Sequence, residues 1–151
     1  MSTLDNLSNL IHQVEGKIDT TSYHNSLGIN LRKENLKVLE NLYHKLEISK
    51  KHDNFKSIFE YKAMNLSGIG LKKEDFAKIR EGKYIQIISI AYQINDKGKR
   101  IAKNSSLGYF GKAEKLEPGL KKNIIEFVLR WRYEKAFQHT EHYELLLQEL
   151  H

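Results

Sequence analysis

A chain of 151 residues, 40% hydrophobic and 29% charged, has the size and make-up of one globular domain able to bury a core without staples. It has no cysteine, which excludes disulfides, thiolate metal sites and a cysteine nucleophile. Its net charge of +6 is segregated: residues 1–71 carry 9 Lys/Arg against 8 Asp/Glu (+1), residues 72–122 carry 13 against 6 (+7), and residues 123–151 carry 3 against 5 (−2).

At the N-terminus, Asp5 and Asn6 stand where a signal peptide would carry Lys or Arg, and no run approaches the ~18 apolar residues of a membrane span. A cytoplasmic protein without membrane association is the expectation. Leu4, Leu7, Ile11, Val14 and Ile18 recur at steps of three and four, which predicts an amphipathic helix over residues 3–18. Residues 19–28 are rich in turn formers and read as a polar connector. A second helix is predicted over residues 31–50, with Leu36, Leu39, Leu42, Tyr43 and Leu46 on its apolar side. A third, over residues 54–66, presents Phe55, Ile58, Phe59 and Met64 or Ala63, and Gly68 and Gly70 then break the chain. No internal repeat or linker composition marks a second domain.

Residues 72–80 read as a short helix with Phe76 and Ile79 facing inward. Over residues 84–94, β-branched content favours a strand, but Tyr84, Ile87, Ile88, Ala91 and Ile94 fall at helical spacing, and helix is the preferred reading. The alternative is a β-hairpin that turns at residues 95–98 and returns over 99–103. Residues 104–119 read as a long loop with two glycines around Tyr109 and Phe110. After Pro118, the only proline, residues 120–150 contain no glycine or proline and predict one long helix. Its apolar stripe passes through Ile125, Val128, Ala136, Tyr143, Leu146, Leu147 and Leu150 and is interrupted by Arg132 and His139. Such a helix must be covered by other elements.

These elements predict an all-α, single-domain bundle of five or six helices over residues 1–151, organised around the C-terminal helix. The alternative is an α+β fold with a β-hairpin at residues 84–103.

The basic middle third attracts polyanions. Lys97, Lys99, Arg100 and Lys103 form its densest part, followed by Lys112, Lys115, Lys121 and Lys122. Tyr109 and Phe110, in their glycine-flanked stretch, are the candidates for stacking on unpaired bases while the cations meet phosphates. No phosphate-loop, dinucleotide-binding or nucleophile-elbow motif is present. Residues 71–94 carry a faint helix-turn-helix pattern, but the would-be recognition helix is almost wholly apolar, unlike a major-groove reader. His139, Glu141 and His142 lack a third and fourth metal ligand at a suitable spacing, so no metal and no cofactor are assigned. Arg132 and His139, in RYEKAFQH, form an R-x6-H pattern that resembles the signature of HEPN ribonucleases. The resemblance implies an all-α domain in which the His performs acid–base chemistry on an RNA 2′-hydroxyl and the Arg steadies the phosphate. On an unbroken helix the two would stand about 10 Å apart, so sharing a phosphate would take a break or a second protomer.

The expected function is that of a small basic helical nucleic-acid-binding module or accessory subunit. RNA or single strands are favoured over duplex, alone or within a homo-oligomer or larger complex, and no catalytic residue is assigned. The alternatives are a HEPN-like ribonuclease using Arg132 and His139, and a helical protein–protein adaptor.

Overall fold

The computed structural model describes residues 20–151, with side chains from residue 28 onward. The predicted helix over residues 3–18 lies outside the described residues. The chain divides into two compact units, residues 1–34 and 35–151. The described part of the first is the opening stretch of helix α1 (Thr20–Lys45), so the predicted polar connector is helical from Thr20 on.

The second unit is α+β, not a bundle of five or six helices. Among the described residues, its regular elements are the rest of α1, strands β1 (Ala63–Ser67), β2 (Tyr84–Ile94) and β3 (Arg100–Lys112), and helix α2 (Pro118–Glu149), with short 3-10 turns at Ile48–Lys50, Phe55–Glu60 and Ala113–Lys115. The strands form one antiparallel sheet in the order β1-β2-β3. The hairpin alternative is therefore the one realised, with a return strand that runs on to Lys112.

Burial explains why β2 is a strand. Ile85, Ile87 and Ser89 are fully buried, and the residues between them are not, which is the period of two that a strand with one covered face requires. The helical spacing in this stretch arises because Ile88 and Ile90 stand on the opposite face, half-buried, and supply apolar residues out of phase. β3 contradicts the predicted loop for a related reason. Its Asn-Ser-Ser run has poor strand propensity, but pairing with β2 from Ile94↔Arg100 to Tyr84↔Lys112 overrides it, with register shifts between Tyr84 and Gln86 and between Ile87 and Ile88. Ser89 also donates its Oγ–H to the Ser105 carbonyl at 3.2 Å, satisfying a buried hydroxyl across the pair.

Residues 72–80 are a stapled loop rather than a helix. Asp75 accepts from Lys72 N at 3.0 Å and from the Arg80 guanidinium at 3.1 Å, while Ile69 bridges Ile79. Gly70 is required because a Cβ there would overlap Asp75. The predicted helix over residues 54–66 is replaced by the 3-10 turn and β1, and Ile58 still reaches the core as expected.

α2 begins at Glu117, whose carboxylate accepts from Gly119 N and Leu120 N, both at 2.9 Å, with proline in the first turn. Its buried face carries Ile124, Phe127, Val128 and Trp131, which meet Leu39, Leu42 and Tyr43 of α1 and the inner side chains of the sheet in one cluster. Three side chains of α2 also donate to backbone carbonyls of the preceding segment: Trp131 Nε1 to Ile58 at 2.9 Å, Arg132 to Met64 at 2.9 and 3.2 Å, and Lys135 Nζ to Phe59 at 2.8 Å. Arg132 thus covers a carbonyl of the edge strand β1, where an unpaired backbone would otherwise be exposed.

Two expectations follow. Trp131→Phe keeps most of the buried volume but orphans the Ile58 carbonyl, and should cost ~1–3 kcal/mol in urea unfolding, whereas Gln148→Ala, on the exposed end of α2, should stay within about 0.5 kcal/mol. The Arg80 hydrogen bond, with the backbone amide of Lys72, holds the Asp75 carboxyl below its usual value. The backbone amides of Gly119 and Leu120 do the same for Glu117. Their contribution is therefore complete above the ordinary carboxylate value of about 4 and is lost as pH falls through the depressed folded values. Asp75→Asn should lower the melting temperature at neutral pH, and the gap from the parent protein should close in acid.

Candidate nucleic-acid interface

Ser89↔Ser105 is the last pair with a buried member, and beyond Ile90, where β1 ends, β2 and β3 continue as a two-stranded ribbon. From Tyr92 to Asn104 every residue is exposed except the half-buried Asn95. Seven residues at strand rise carry the tip about 24 Å from that last buried pair. Such a ribbon is marginal by itself in water, so its turn must be well specified. Asn95 Oδ1 accepts from Lys97 N at 3.0 Å and from Lys99 N at 2.8 Å, and Asn95 N donates to the Lys99 carbonyl at 2.9 Å. Gly98 takes the left-handed φ of 77° that closes this kind of turn.

The arm carries four of the predicted binding residues, Lys97, Lys99, Arg100 and Lys103, against one carboxylate, Asp96. Lys97 lies in the turn and Lys99 directly follows it. Arg100 pairs with Ile94 on the outer face of the sheet, the side turned away from the core, and Lys103 pairs with Ala91 on the other face. The Arg100 guanidinium lies 3.8 Å above the ring centre of Tyr92, a diagonal neighbour on that outer face. This contact leaves the guanidinium's donors free to meet phosphate oxygens.

Further down the outer face, Tyr84 and Tyr109 lie with ring centres 5.9 Å apart, tilted by 31°, each about half exposed. Lys112, opposite Tyr84, is exposed beside them. Phe110 is placed differently from Tyr109: it packs against the core, its ring covering Gly108. The aromatic partner of Tyr109 is thus Tyr84, which the charge map and the predicted helix over residues 84–94 did not place in the interface. The usable signal was register, since Tyr84, Gln86, Ile88, Ile90 and Tyr92 share a face only in a strand.

The remaining predicted cations are not on the arm. Along β3, Arg100 and Lys112 are separated by about 40 Å of strand. Lys115 is exposed in the 3-10 turn after β3. Lys121 and Lys122 border a groove of about 650 Å³ between the stapled loop and the start of α2, floored by Phe76, Ile125 and Leu129. The structure therefore brings Lys97, Lys99, Arg100 and Lys103 together, places Tyr109 and Lys112 at the base of the same face, and separates Lys121 and Lys122 from both.

Arg132 and His139 are not united within the chain. α2 is continuous across them, Arg132 is held on the Met64 carbonyl, and His139 is exposed. The all-α fold implied by the ribonuclease resemblance is replaced by the sheet. Among the described residues, no group of three or more His, Asp or Glu comes together that could hold a metal ion, and no helix is long and apolar enough to cross a membrane. No protein-family model matches the chain, and neither the curated proteins nor the solved structures contain a match.

If the Asn95 side chain specifies the turn, Asn95→Ala should speed amide hydrogen exchange across residues 93–101 while leaving global stability within about 0.5 kcal/mol, because the arm lies outside the cooperative core.

Proposed function

We propose that the protein binds nucleic acid through the β2–β3 arm, with the phosphate backbone as the main contact and unpaired bases, in RNA or other single strands, stacking on the tyrosines of the sheet. The observation that carries this reading is the convergence of Lys97, Lys99, Arg100 and Lys103 on one exposed ribbon whose outer face also presents Tyr92, Tyr84 and Tyr109. Cations on a protruding element reach a polyanion without desolvating the core, and release of its counterions drives binding. Tyrosine rings with exposed faces tolerate any base, which suits a single strand with its bases unstacked. The reading places the protein in the cytoplasm as an accessory nucleic-acid-binding subunit.

The test is a salt titration against labelled single-stranded RNA, single-stranded DNA and duplex DNA. Replacing Lys97, Lys99, Arg100 and Lys103 together by Ala should weaken binding and lower the slope of log K against log[salt] by about 2–3 on single strands. An unchanged slope would remove the arm from the interface. An equal loss on replacing Lys50, Lys51 and Lys56 would reduce the effect to general charge. Tyr84→Ala and Tyr109→Ala should each cost ~1–3 kcal/mol on single strands and little on duplex. A fall in melting temperature with binding intact would instead make this pair structural.

A further inference from the structure

Helix α2 is about 48 Å long, yet its buried residues fall only between Ile124 and Glu134. Rotated by more than a quarter turn from the line of Ile124, Phe127, Val128 and Trp131 runs a second line of residues: Leu129, Tyr133, Ala136, Thr140, Tyr143, Leu147 and Leu150. Their spacing is four, three, four, three, four, three, an unbroken alternation over three heptads. All seven are exposed, with Tyr143 at 63%, Leu147 at 57% and Leu150 at 77%. A lone exposed leucine means little, but a continuous seam at this period is what a second helix recognises.

We infer that α2 pairs with α2 of a second copy of this chain, in parallel and in register, through the seam from Leu129 to Leu150. With Tyr133, Thr140 and Leu147 at the a positions and Leu129, Ala136, Tyr143 and Leu150 at the d positions, the other residues fall into defined flanking places. His139 takes g and Glu144 the following e, so parallel pairing sets His139 of one copy beside Glu144 of the other on both sides of the seam. An antiparallel pair, with a positions facing d positions, would lose this contact and set His139 against His139 or Leu146 of the other copy. The His139–Glu144 contact thus favours the parallel arrangement. Burying the exposed parts of the seam in both copies removes on the order of 1,000 Å² from water, the size at which a specific interface becomes stable. Thr140, the polar a position at the centre, fixes the register at some expense in affinity.

Sedimentation of the full chain over a range of concentrations tests this directly. The parent protein should form a dimer, and Leu147→Glu with Leu150→Glu should return it to monomer without change in its circular dichroism, because both residues are exposed in the single chain. Thr140→Leu should strengthen the dimer. Because the chain has no cysteine, Leu147→Cys gives a clean orientation readout: oxidation should cross-link two copies through residue 147. A monomer at every concentration would overturn the inference, as would a dimer indifferent to the glutamate pair. A dimer in which Leu147→Cys joins Tyr133→Cys but not itself would overturn the parallel arrangement.

Discussion

The three donations from α2 to the segment before it, by Trp131 to Ile58, Arg132 to Met64 and Lys135 to Phe59, are the constraint on which the rest of the unit depends. Each gives a backbone carbonyl of that segment a side-chain donor, and one of these carbonyls lies on the edge strand. Together they hold a long helix against the beginning of a small sheet. A three-stranded sheet has only a modest inner face to offer, and α2 with the end of α1 fills it around Ile85, Ile87, Leu107 and Phe127. Lys135 shows what this arrangement costs: burial, together with the nearby Lys62, holds its ammonium below the usual lysine range.

Once the helix is fixed at its N-terminal half, two lengths of regular structure extend past the core. One is the β2–β3 arm, which carries three net positive charges (Lys97, Lys99, Arg100 and Lys103 against Asp96). The other is the last third of α2, where Glu141, Glu144 and Glu149 are the only charged residues besides histidines. The separation of charge along the sequence thus becomes a separation between two projecting elements. The basic one suits a polyanion. The other, with an apolar seam between polar flanks, suits a helix of its own kind. Two copies joined by α2 would present two arms to one strand, and linked binding of that sort raises affinity without a new contact.

The long helix was the most legible part of the sequence, because an uninterrupted 3.6-residue pattern after a single proline has few other solutions. The turn at residues 95–98 was visible too, in its Asn and Gly. The strands on either side were not. β2 carries apolar residues on both faces, so its alternation is hidden, and β3 is built from serine, asparagine and glycine whose strand state comes from pairing alone. The short loop at residues 72–80 mimics a helix because Phe76 and Ile79 fall three apart, while the Asp75 staple that shapes it leaves no periodic trace. The cations of the candidate interface could be named from the charge map, but not their grouping. Only the hairpin shows that Lys97 to Lys103 form one surface and that Lys121 and Lys122 belong to another. The predicted stripe of α2 already contained Ala136, Tyr143, Leu147 and Leu150 of the exposed seam, but joined them to Ile125 and Val128, which the structure buries in the core.

The proposed function rests on contact between nucleic acid and the arm with the outer face of the sheet. The most direct measurement is a set of amide chemical-shift changes in the isotope-labelled full chain on addition of a short single-stranded RNA. The largest changes should fall at residues 92–103 and around Tyr84 and Tyr109, with the buried half of α2 unmoved. Changes centred on Arg132 and His139, or saturable binding that leaves residues 92–103 unshifted, would contradict it.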